Sequence, residues 1–158
     1  MNVKFKKINK MKKTTAFGIT LFICLLFILF ASYTKAQETQ IKVTDIRSGK
    51  GKIILNVFKD NDSYDKNQPY KKLTFDKKTL VNGTLNVHFG LEPGVYGITL
   101  VDDENEDGKI NKNFVGIPKE GFGFSNFFMT KMKKPSFDDF KVDLKSPEHQ
   151  IEIKVKYM

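Results

Sequence analysis

A stretch of oxygen-bearing side chains at residues 101–114, VDDENEDGKINKNF, has the spacing of a calcium-binding loop. Ca²⁺ is a hard cation that takes about six to eight oxygen ligands, and a short loop supplies several when alternate side chains turn inward around a tight bend. Asp103, Asn105 and Asp107 occupy the first, third and fifth positions of such a loop, and Gly108 occupies the sixth, where the backbone turns sharply. The first half of the stretch therefore predicts a calcium site.

The second half of the stretch lacks the ligand that should close the loop. The Lys109 carbonyl fits the seventh position and Asn111 fits the ninth, but the twelfth position is Phe114, which has no ligand atom. The segment that enters the loop has a strand pattern and not a helical one, so the sequence excludes an EF-hand. We therefore expect the missing oxygen to come from a distant part of the chain. The acids considered for this role are Asp102, Glu120, Asp138 and Asp139.

The predicted cofactor of this site is calcium, and the predicted ligands form one set. They are Asp103, Asn105, Asp107, Lys109, Asn111 and Glu120. Five acids lie within the six positions 102–107, and a bound cation would relieve their mutual repulsion. The alternative interpretation is a polar turn whose side chains hydrogen-bond their own backbone. A second acidic group, made of Asp60, Asp62 and Asp65, lacks the glycine and is interpreted as a polar turn.

Residues 1–36 have the pattern of an export signal and are set apart from the fold. A basic start precedes the apolar run AFGITLFICLLFILFASY, and the small residues Thr34 and Ala36 predict cleavage after Ala36. The apolar run also has nearly the length that spans a bilayer, so the alternative is an uncleaved signal anchor. The sequence thus predicts an exported protein, which is periplasmic, on the cell surface or secreted, with one domain at residues 37–158.

The basic character of the chain belongs mainly to this N-terminal segment. Of the 27 lysine and arginine residues seven lie in residues 1–36, whereas all 18 acidic residues follow it, so the rest of the chain is close to neutral. We therefore expect no nucleic-acid partner, and a membrane partner only through an uncleaved N-terminal segment. The single cysteine, Cys24, also lies in this segment, so no disulfide is available to stabilise the domain.

Alternation of apolar and polar residues predicts several β-strands. IEIKVKY at residues 151–157 alternates most regularly, and KIILNVFK and VYGITLVD are apolar on both faces, as central strands are. Further predicted strands are QIKVTDI, TLNVHF and FKVDL. We expect an all-β fold, a single antiparallel β-sandwich of about seven strands, transthyretin-like or immunoglobulin-like.

The region after the acidic loop is long, without periodicity and rich in aromatic residues. Seven of the ten phenylalanines after residue 36 lie between positions 114 and 140. One interpretation is an aromatic platform for a sugar, peptide or membrane surface, rimmed by Lys131, Lys133 and Lys134. The favoured interpretation is that the segment folds back and buries its rings as a second core, because so many exposed rings would aggregate.

Few residues after position 36 belong to the types that enzymes use as nucleophiles or bases. This part of the chain has no cysteine, no H-E-x-x-H and no G-x-S-x-G motif, and His88 and His149 are distant in sequence. We therefore expect a non-catalytic module that binds an envelope or extracellular partner, such as a glycan or a protein. The alternatives are a secreted hydrolase that uses Glu120 with the loop carboxylates, and a purely structural accessory domain.

Four motifs in a fixed order resemble a family of exported bacterial proteins known as domain of unknown function 2141, or DUF2141. They are a P-G-x-Y strand entry, a D-x-N-x-x-G-K-hydrophobic loop, the block GIPKEGFGFS and the return PSFDDF. The resemblance covers roughly residues 39–157 and implies a small β-sandwich without an established biochemical role. The P-G-x-Y entry is also similar to that of transthyretin-like and peptidase-associated sandwich domains, which is an analogy of fold alone.

Overall fold

Two β-sheets pack face to face in the computed structural model, which describes residues 37–131, 133–145 and 150–158. The predicted signal at residues 1–36 and His149 lie outside the described residues. Within the described ranges, no helix is long and apolar enough to span a bilayer. The strands are β1 (Gln37–Thr44), β2 (Lys52–Phe58), β3 (Lys71–Asp76), β4 (Leu85–Leu91), β5 (Val95–Asp103), β6 (Gly121–Phe124), β7 (Lys141–Asp143) and β8 (Gln150–Lys154). Two short helices are α1 (Asn61–Asp65) and α2 (Phe137–Phe140).

The strand order confirms the predicted all-β sandwich and corrects one detail of it. One sheet has the order β4-β1-β8, and the other has the order β3-β2-β5-β6, with β7 also paired to β5. The pairs within the second sheet are antiparallel. β1 and β8 run parallel, with Ile41 opposite Ile151, whereas the sequence pattern predicted antiparallel neighbours. Alternation reports which residues face inward but does not report the direction of the neighbouring strand.

The main core lies between the two sheets and is built from alternating residues. Ile41 and Val43 of β1 are fully buried, and so are Ile151 and Ile153 of β8. Glu152, between the latter two, is exposed. The period-two pattern of the sequence is therefore the pattern of burial in the three-stranded sheet.

β2 and β5 are buried on both faces, because the chain after β5 and the two helices cover the second face. Leu55 and Ile98 face the main core. The face of the five-stranded sheet that is turned away from the three-stranded sheet is called here the outer face. Phe58 lies on this outer face. A separate aromatic cluster covers part of the outer face. It consists of Phe58, Tyr64, Phe137 and Phe140, with Phe124 and Phe127 at its edge.

This cluster confirms the favoured interpretation of the aromatic segment for most of its rings. Phe137 and Phe140 are buried and meet at 5.9 Å between ring centroids in an edge-to-face arrangement. The interpretation is wrong for Phe114, which is 100% exposed, and for Phe128, which is 44% exposed. Phe114 is therefore not held by the rest of the aromatic segment.

Two strands, β3 and β6, were not predicted from the sequence. β6 is short and contains Gly121 and Gly123, which are typical of loops. A Cβ atom on Gly121 would lie 2.6 Å from Val155 Cγ1, and one on Gly123 would lie 2.5 Å from Ile153 Cγ2. Glycine is needed here because the neighbouring chain approaches the backbone of β6 so closely.

Candidate metal centre

Asp103 and Glu120 are brought together by the pairing of β5 with β6. The last pair in this register is Asp102 with Gly121, so Asp103 and Glu120 are the next residues on the two chains. Both side chains lie on the outer face, since side chains alternate along a strand. Asp103 is 2% exposed and Glu120 is 5% exposed. The sheet therefore places two nearly buried acids side by side at the edge where the long loop begins and ends.

Asp107 joins these two acids from the loop. One carboxylate oxygen from each of Asp103, Asp107 and Glu120 lies within 4.8 Å of the other two. Glu120 is thus a distant acid that lies beside the loop carboxylates, where the missing twelfth ligand of the loop would be needed. Cation binding by this set stays a prediction.

The loop curls around the Asp103 carboxylate. Its Oδ1 accepts a hydrogen bond from the Asp107 N–H at 3.2 Å, and its Oδ2 accepts one from the Gly108 N–H at 2.9 Å. Gly108 has a φ of +77°, which a residue with a side chain rarely adopts. The sharp turn predicted at the sixth loop position is therefore present, and the Gly108 N–H at this turn bonds to Asp103.

The three remaining predicted ligands surround Asp107. Its Oδ2 accepts hydrogen bonds from Asn111 Nδ2 at 2.7 Å and from Asn105 Nδ2 at 3.2 Å, and its Oδ1 accepts one from the Lys109 N–H at 2.9 Å. These contacts agree with the polar-turn interpretation for the loop without a cation. They also keep the oxygen atoms of one short loop close to the carboxylates, as a calcium site requires.

The surroundings of Glu120 and Asp107 shift the pKa values of the two carboxyl groups in opposite directions. Burial raises the pKa of Glu120, and the negative charges of Asp103 and Asp107 raise it further, against the effect of one hydrogen bond from the Asn111 N–H at 2.9 Å. In contrast, hydrogen bonds from Asn111 and the Lys109 N–H lower the pKa of Asp107. Like charges are thus concentrated at a nearly buried carboxylate, which is the situation that a divalent cation relieves.

None of the three clustered carboxylates has an ion pair with a lysine or arginine in the part of the chain that the structure describes. The neighbouring acids of the loop do have such partners. Glu104 pairs with Arg47, whose hydrogen bonds lower the pKa of Glu104 to about 2, and Glu106 pairs with Lys52 at 2.9 Å. Arg47 and Lys52 therefore neutralise acids of the loop that lie outside the cluster.

Asp102 does not contribute to the cluster, although the sequence made it a candidate. It alternates to the inner side of β5, is fully buried, and pairs with the ammonium of Lys77. Its second oxygen accepts a hydrogen bond from the hydroxyl of Tyr157. Sequence reasoning missed Lys77, because a lysine in a polar segment carries no local signal of burial. Alternation placed Tyr157 on the inward side of its segment but could not show that it bonds to Asp102.

Asp138 and Asp139 are also elsewhere and have other partners. Asp139 accepts hydrogen bonds from the Ser136 N–H at 2.7 Å and from Ser136 Oγ at 2.8 Å, which caps α2. Asp138 pairs with Lys141 at 2.8 Å. Of the four acids considered as the missing ligand, Glu120 alone joins the cluster.

The second acidic group, which was predicted to be a polar turn, instead caps and forms the short helix α1. Asp60 caps α1 by accepting a hydrogen bond from the Ser63 N–H at 2.8 Å. Asp62 pairs with Lys66 and Asp65 pairs with Lys134. These acids are satisfied individually and do not converge.

Comparison with known proteins identifies the family of the chain. A family model described as "Uncharacterized protein conserved in bacteria (DUF2141)" matches residues 41–152, a range that runs from β1 into β8 and includes the acidic loop and Glu120. Searches of the curated proteins and of the solved structures each found no match. The family match covers more than half of the chain, and it agrees with the four motifs noted in the sequence. The chain therefore belongs to the bacterial family of uncharacterized proteins called DUF2141.

Proposed function

We propose that this protein is an exported, non-catalytic β-sandwich module that binds Ca²⁺ in its acidic loop and presents the covered outer face to an envelope or extracellular partner. The observation that carries the proposal is the convergence of the Asp103, Asp107 and Glu120 carboxylates within 4.8 Å, without an ion-pair partner among the described residues. Calcium would connect the end of β5, the loop and the start of β6. Its role would be structural.

The donor atoms around this point favour calcium over a transition metal. The site offers carboxylates and side-chain amides, with no histidine or cysteine in the described cluster. Such hard oxygen donors suit Ca²⁺, and its flexible coordination suits a loop better than the strict octahedron of Mg²⁺ does. The Asn111 amide now directs its Nδ2 at Asp107, and a half-turn of the amide would offer Oδ1 instead. Three carboxylates would more than neutralise the double charge of the ion, leaving one negative charge on the site.

Thermal unfolding in calcium and in chelator tests the proposal. Ala36–Met158 separate as one compact unit with its own core, so residues 37–158 are used. At a calcium concentration about 100-fold above Kd, the free energy of unfolding rises by about 2.7 kcal/mol. We expect Tm to rise by roughly 10 °C relative to EGTA.

Two variants separate a site from a general charge effect. Asp103→Asn combined with Asp107→Asn should abolish the calcium-dependent rise in Tm. Glu106→Gln is the matched control, because it removes an acid from the same loop that lies outside the cluster and pairs with Lys52. Equal melting temperatures in millimolar calcium and in EGTA for the unmodified domain would contradict calcium binding and leave a structural accessory module as the better proposal.

The alternative function is a hydrolase, and one observation favours it. Glu120 has a raised pKa beside other carboxylates, as the acid of a carboxylate pair in glycoside hydrolysis does. Incubation with chromogenic glycosides and esters in chelator tests this alternative. Turnover that disappears in Glu120→Gln would support the hydrolase over the non-catalytic module.

A further inference from the structure

Residues 111–120 form a hydrogen-bonded hairpin, called here the tip hairpin. It connects the loop that carries Asp107 with Glu120. Near its base, the Lys119 N–H donates to the Asn111 carbonyl at 2.8 Å. Further along, the Asn113 N–H donates to the Ile117 carbonyl at 2.8 Å. Backbone hydrogen bonds therefore define the shape of this segment, although it contains none of the named strands.

The turn of the tip hairpin holds two apolar side chains in water. Asn113 Oδ1 accepts hydrogen bonds from the N–H groups of Val115 at 3.0 Å and Ile117 at 2.9 Å, and Gly116 turns the chain with a φ of +82°. Within this closed turn Phe114 is 100% exposed and Val115 is 60% exposed. The local hydrogen bonds thus hold the apolar pair exposed at the turn of the hairpin.

This exposure sets Phe114 apart from the rings of the outer face. Phe122 is 7% exposed and Phe140 is 1% exposed, so the same segment buries aromatic rings where it lies on the sheet. A fully exposed phenylalanine beside a mostly exposed valine leaves a small contiguous apolar surface without a partner. Such surfaces mark interaction sites when they lie together with other apolar groups.

Lysines flank the apolar turn in sequence, whereas the acidic cluster lies at the base of the hairpin. Lys109, Lys112 and Lys119 are exposed, and residues 109–119 contain no acidic residue. Within the described part of the chain, none of these three lysines forms an ion pair. The tip hairpin therefore combines a fully exposed aromatic side chain with two lysines, and Lys109 precedes it as a third.

We propose that the tip hairpin docks this domain on an anionic lipid surface, with Phe114 and Val115 entering the interfacial region and the lysines contacting lipid phosphates. An aromatic and an aliphatic side chain gain from the apolar side of the interface, whereas flanking ammonium groups remain at the headgroups. A stable protein interface needs about 800 Å² from each partner. Two exposed apolar side chains offer too little apolar surface for a stable protein interface, whereas they are enough to enter a fluid bilayer.

The base of the tip hairpin connects this surface with the candidate metal centre. Asn111 hydrogen-bonds to both Asp107 and Glu120, and Glu120 belongs to the acidic cluster. A cation in the cluster would hold the two chains of the hairpin together and limit its motion, which would strengthen docking. This calcium dependence rests on the function proposed above, whereas docking by the tip itself does not.

Vesicle sedimentation tests the proposal. Residues 37–158 are used, because the apolar run of the N-terminal segment would bind lipid by itself. We expect binding to vesicles of phosphatidylglycerol with phosphatidylcholine, and none to phosphatidylcholine alone. Phe114→Ser combined with Val115→Ser should weaken binding at least about tenfold. Lys112→Gln combined with Lys119→Gln should weaken it about fivefold for each lysine.

Phe128→Ser is the matched control, because it also removes an exposed phenylalanine beside two lysines. Its ring lies against Lys154 and Lys156, which belong to the side of the three-stranded sheet. This variant should bind vesicles like the unmodified domain. A tip variant that binds as well as the unmodified domain would overturn the proposal, and so would an unmodified domain that fails to bind anionic vesicles in calcium and in EGTA.

Tryptophan fluorescence gives a second measurement that depends on the tip alone. The chain has no tryptophan, so Phe114→Trp introduces a single reporter. On anionic vesicles its emission should shift to the blue and be quenched by brominated lipid, whereas Phe128→Trp should not respond. Equal shifts in calcium and EGTA would support docking and count against its calcium dependence. A tip that mediates self-association in solution, without a shift on vesicles, would instead overturn the proposal.

Discussion

At the scale of single residues, Glu120 is the group whose ionisation works against the fold when no cation is bound. Its pKa is raised above the ordinary value of 4.5, first by burial and then by neighbouring carboxylates. The folded domain therefore binds this proton more tightly than the unfolded chain does. This contribution to stability is present at pH below 4.5 and is lost as the pH rises through the raised pKa.

The charge of Glu120 leads to a prediction about the domain in chelator. Glu120→Gln keeps an acceptor for the Asn111 N–H but removes the charge, so it should raise Tm in EGTA at neutral pH by a few degrees, equivalent to roughly 1 kcal/mol. The difference should shrink as the pH falls below 4.5, where the native side chain is protonated. Thermal melts across pH measure this effect. A variant less stable than the unmodified domain at neutral pH would show that the charge of Glu120 does not destabilise the fold.

At the scale of elements, the outer face of β5 is shaped to receive α2. Gly97 lies under the helix, and a Cβ atom there would be 2.5 Å from Phe140 Cε2 and 2.8 Å from Phe137 Cε2. Rings in a packed cluster have little room to move, because interiors are close-packed. Glycine at this position therefore allows the aromatic cluster to sit directly on the strand.

Gly97→Ala should destabilise the domain because the added methyl displaces these rings. The expected loss is about 1–3 kcal/mol in the free energy of unfolding, measured by urea titration. Gly49→Ala is the control, since an added Cβ there meets no atom within 4 Å. Equal midpoints for the two variants would mean that the helix shifts without cost.

At the scale of the whole molecule, a buried polar network joins the two sheets near the acidic cluster. Asp102 of β5 pairs with Lys77, and both side chains have no exposed surface. Lys77 also donates to the carbonyls of Ser48 at 3.2 Å and Lys50 at 2.6 Å, and Asp102 accepts from Tyr157, which follows β8. This network fixes the end of the sandwich where the acidic loop starts.

Breaking one half of this buried pair should be costly. Lys77→Met leaves the Asp102 carboxylate buried without its counter-charge, and the expected loss is about 3–5 kcal/mol. Lys77→Met combined with Asp102→Leu should recover much of this loss, because no buried charge then remains unpaired. Urea unfolding of both variants measures the effect. Lys78→Met, at an exposed neighbouring lysine, should change the stability by less than about 0.5 kcal/mol. A loss in the double variant as large as in Lys77→Met would exclude the unpaired charge as the cause.

The sequence by itself determined the properties that depend on local spacing. Period-two alternation identified the inward residues of β8, because side chains of a strand alternate whatever the partner strand is. The spacing of Asp103, Asn105, Asp107 and Gly108 likewise predicted the tight turn, since these residues belong to one continuous loop. The strand β6 was not predicted, because its glycines are required by close contacts with Val155 and Ile153, which are distant in sequence.

Only the tertiary structure decided the properties that depend on which distant segments meet. The register of β5 with β6 places Glu120 beside Asp103, whereas the opposite alternation turns Asp102 toward Lys77. β1 and β8 pair in parallel within one sheet, and the alternation in either strand does not specify this direction. Most of the aromatic rings are buried because they pack against the outer face, whereas Phe114 does not contact it and is exposed. No local pattern contains this information, because it arises from the packing of the whole chain.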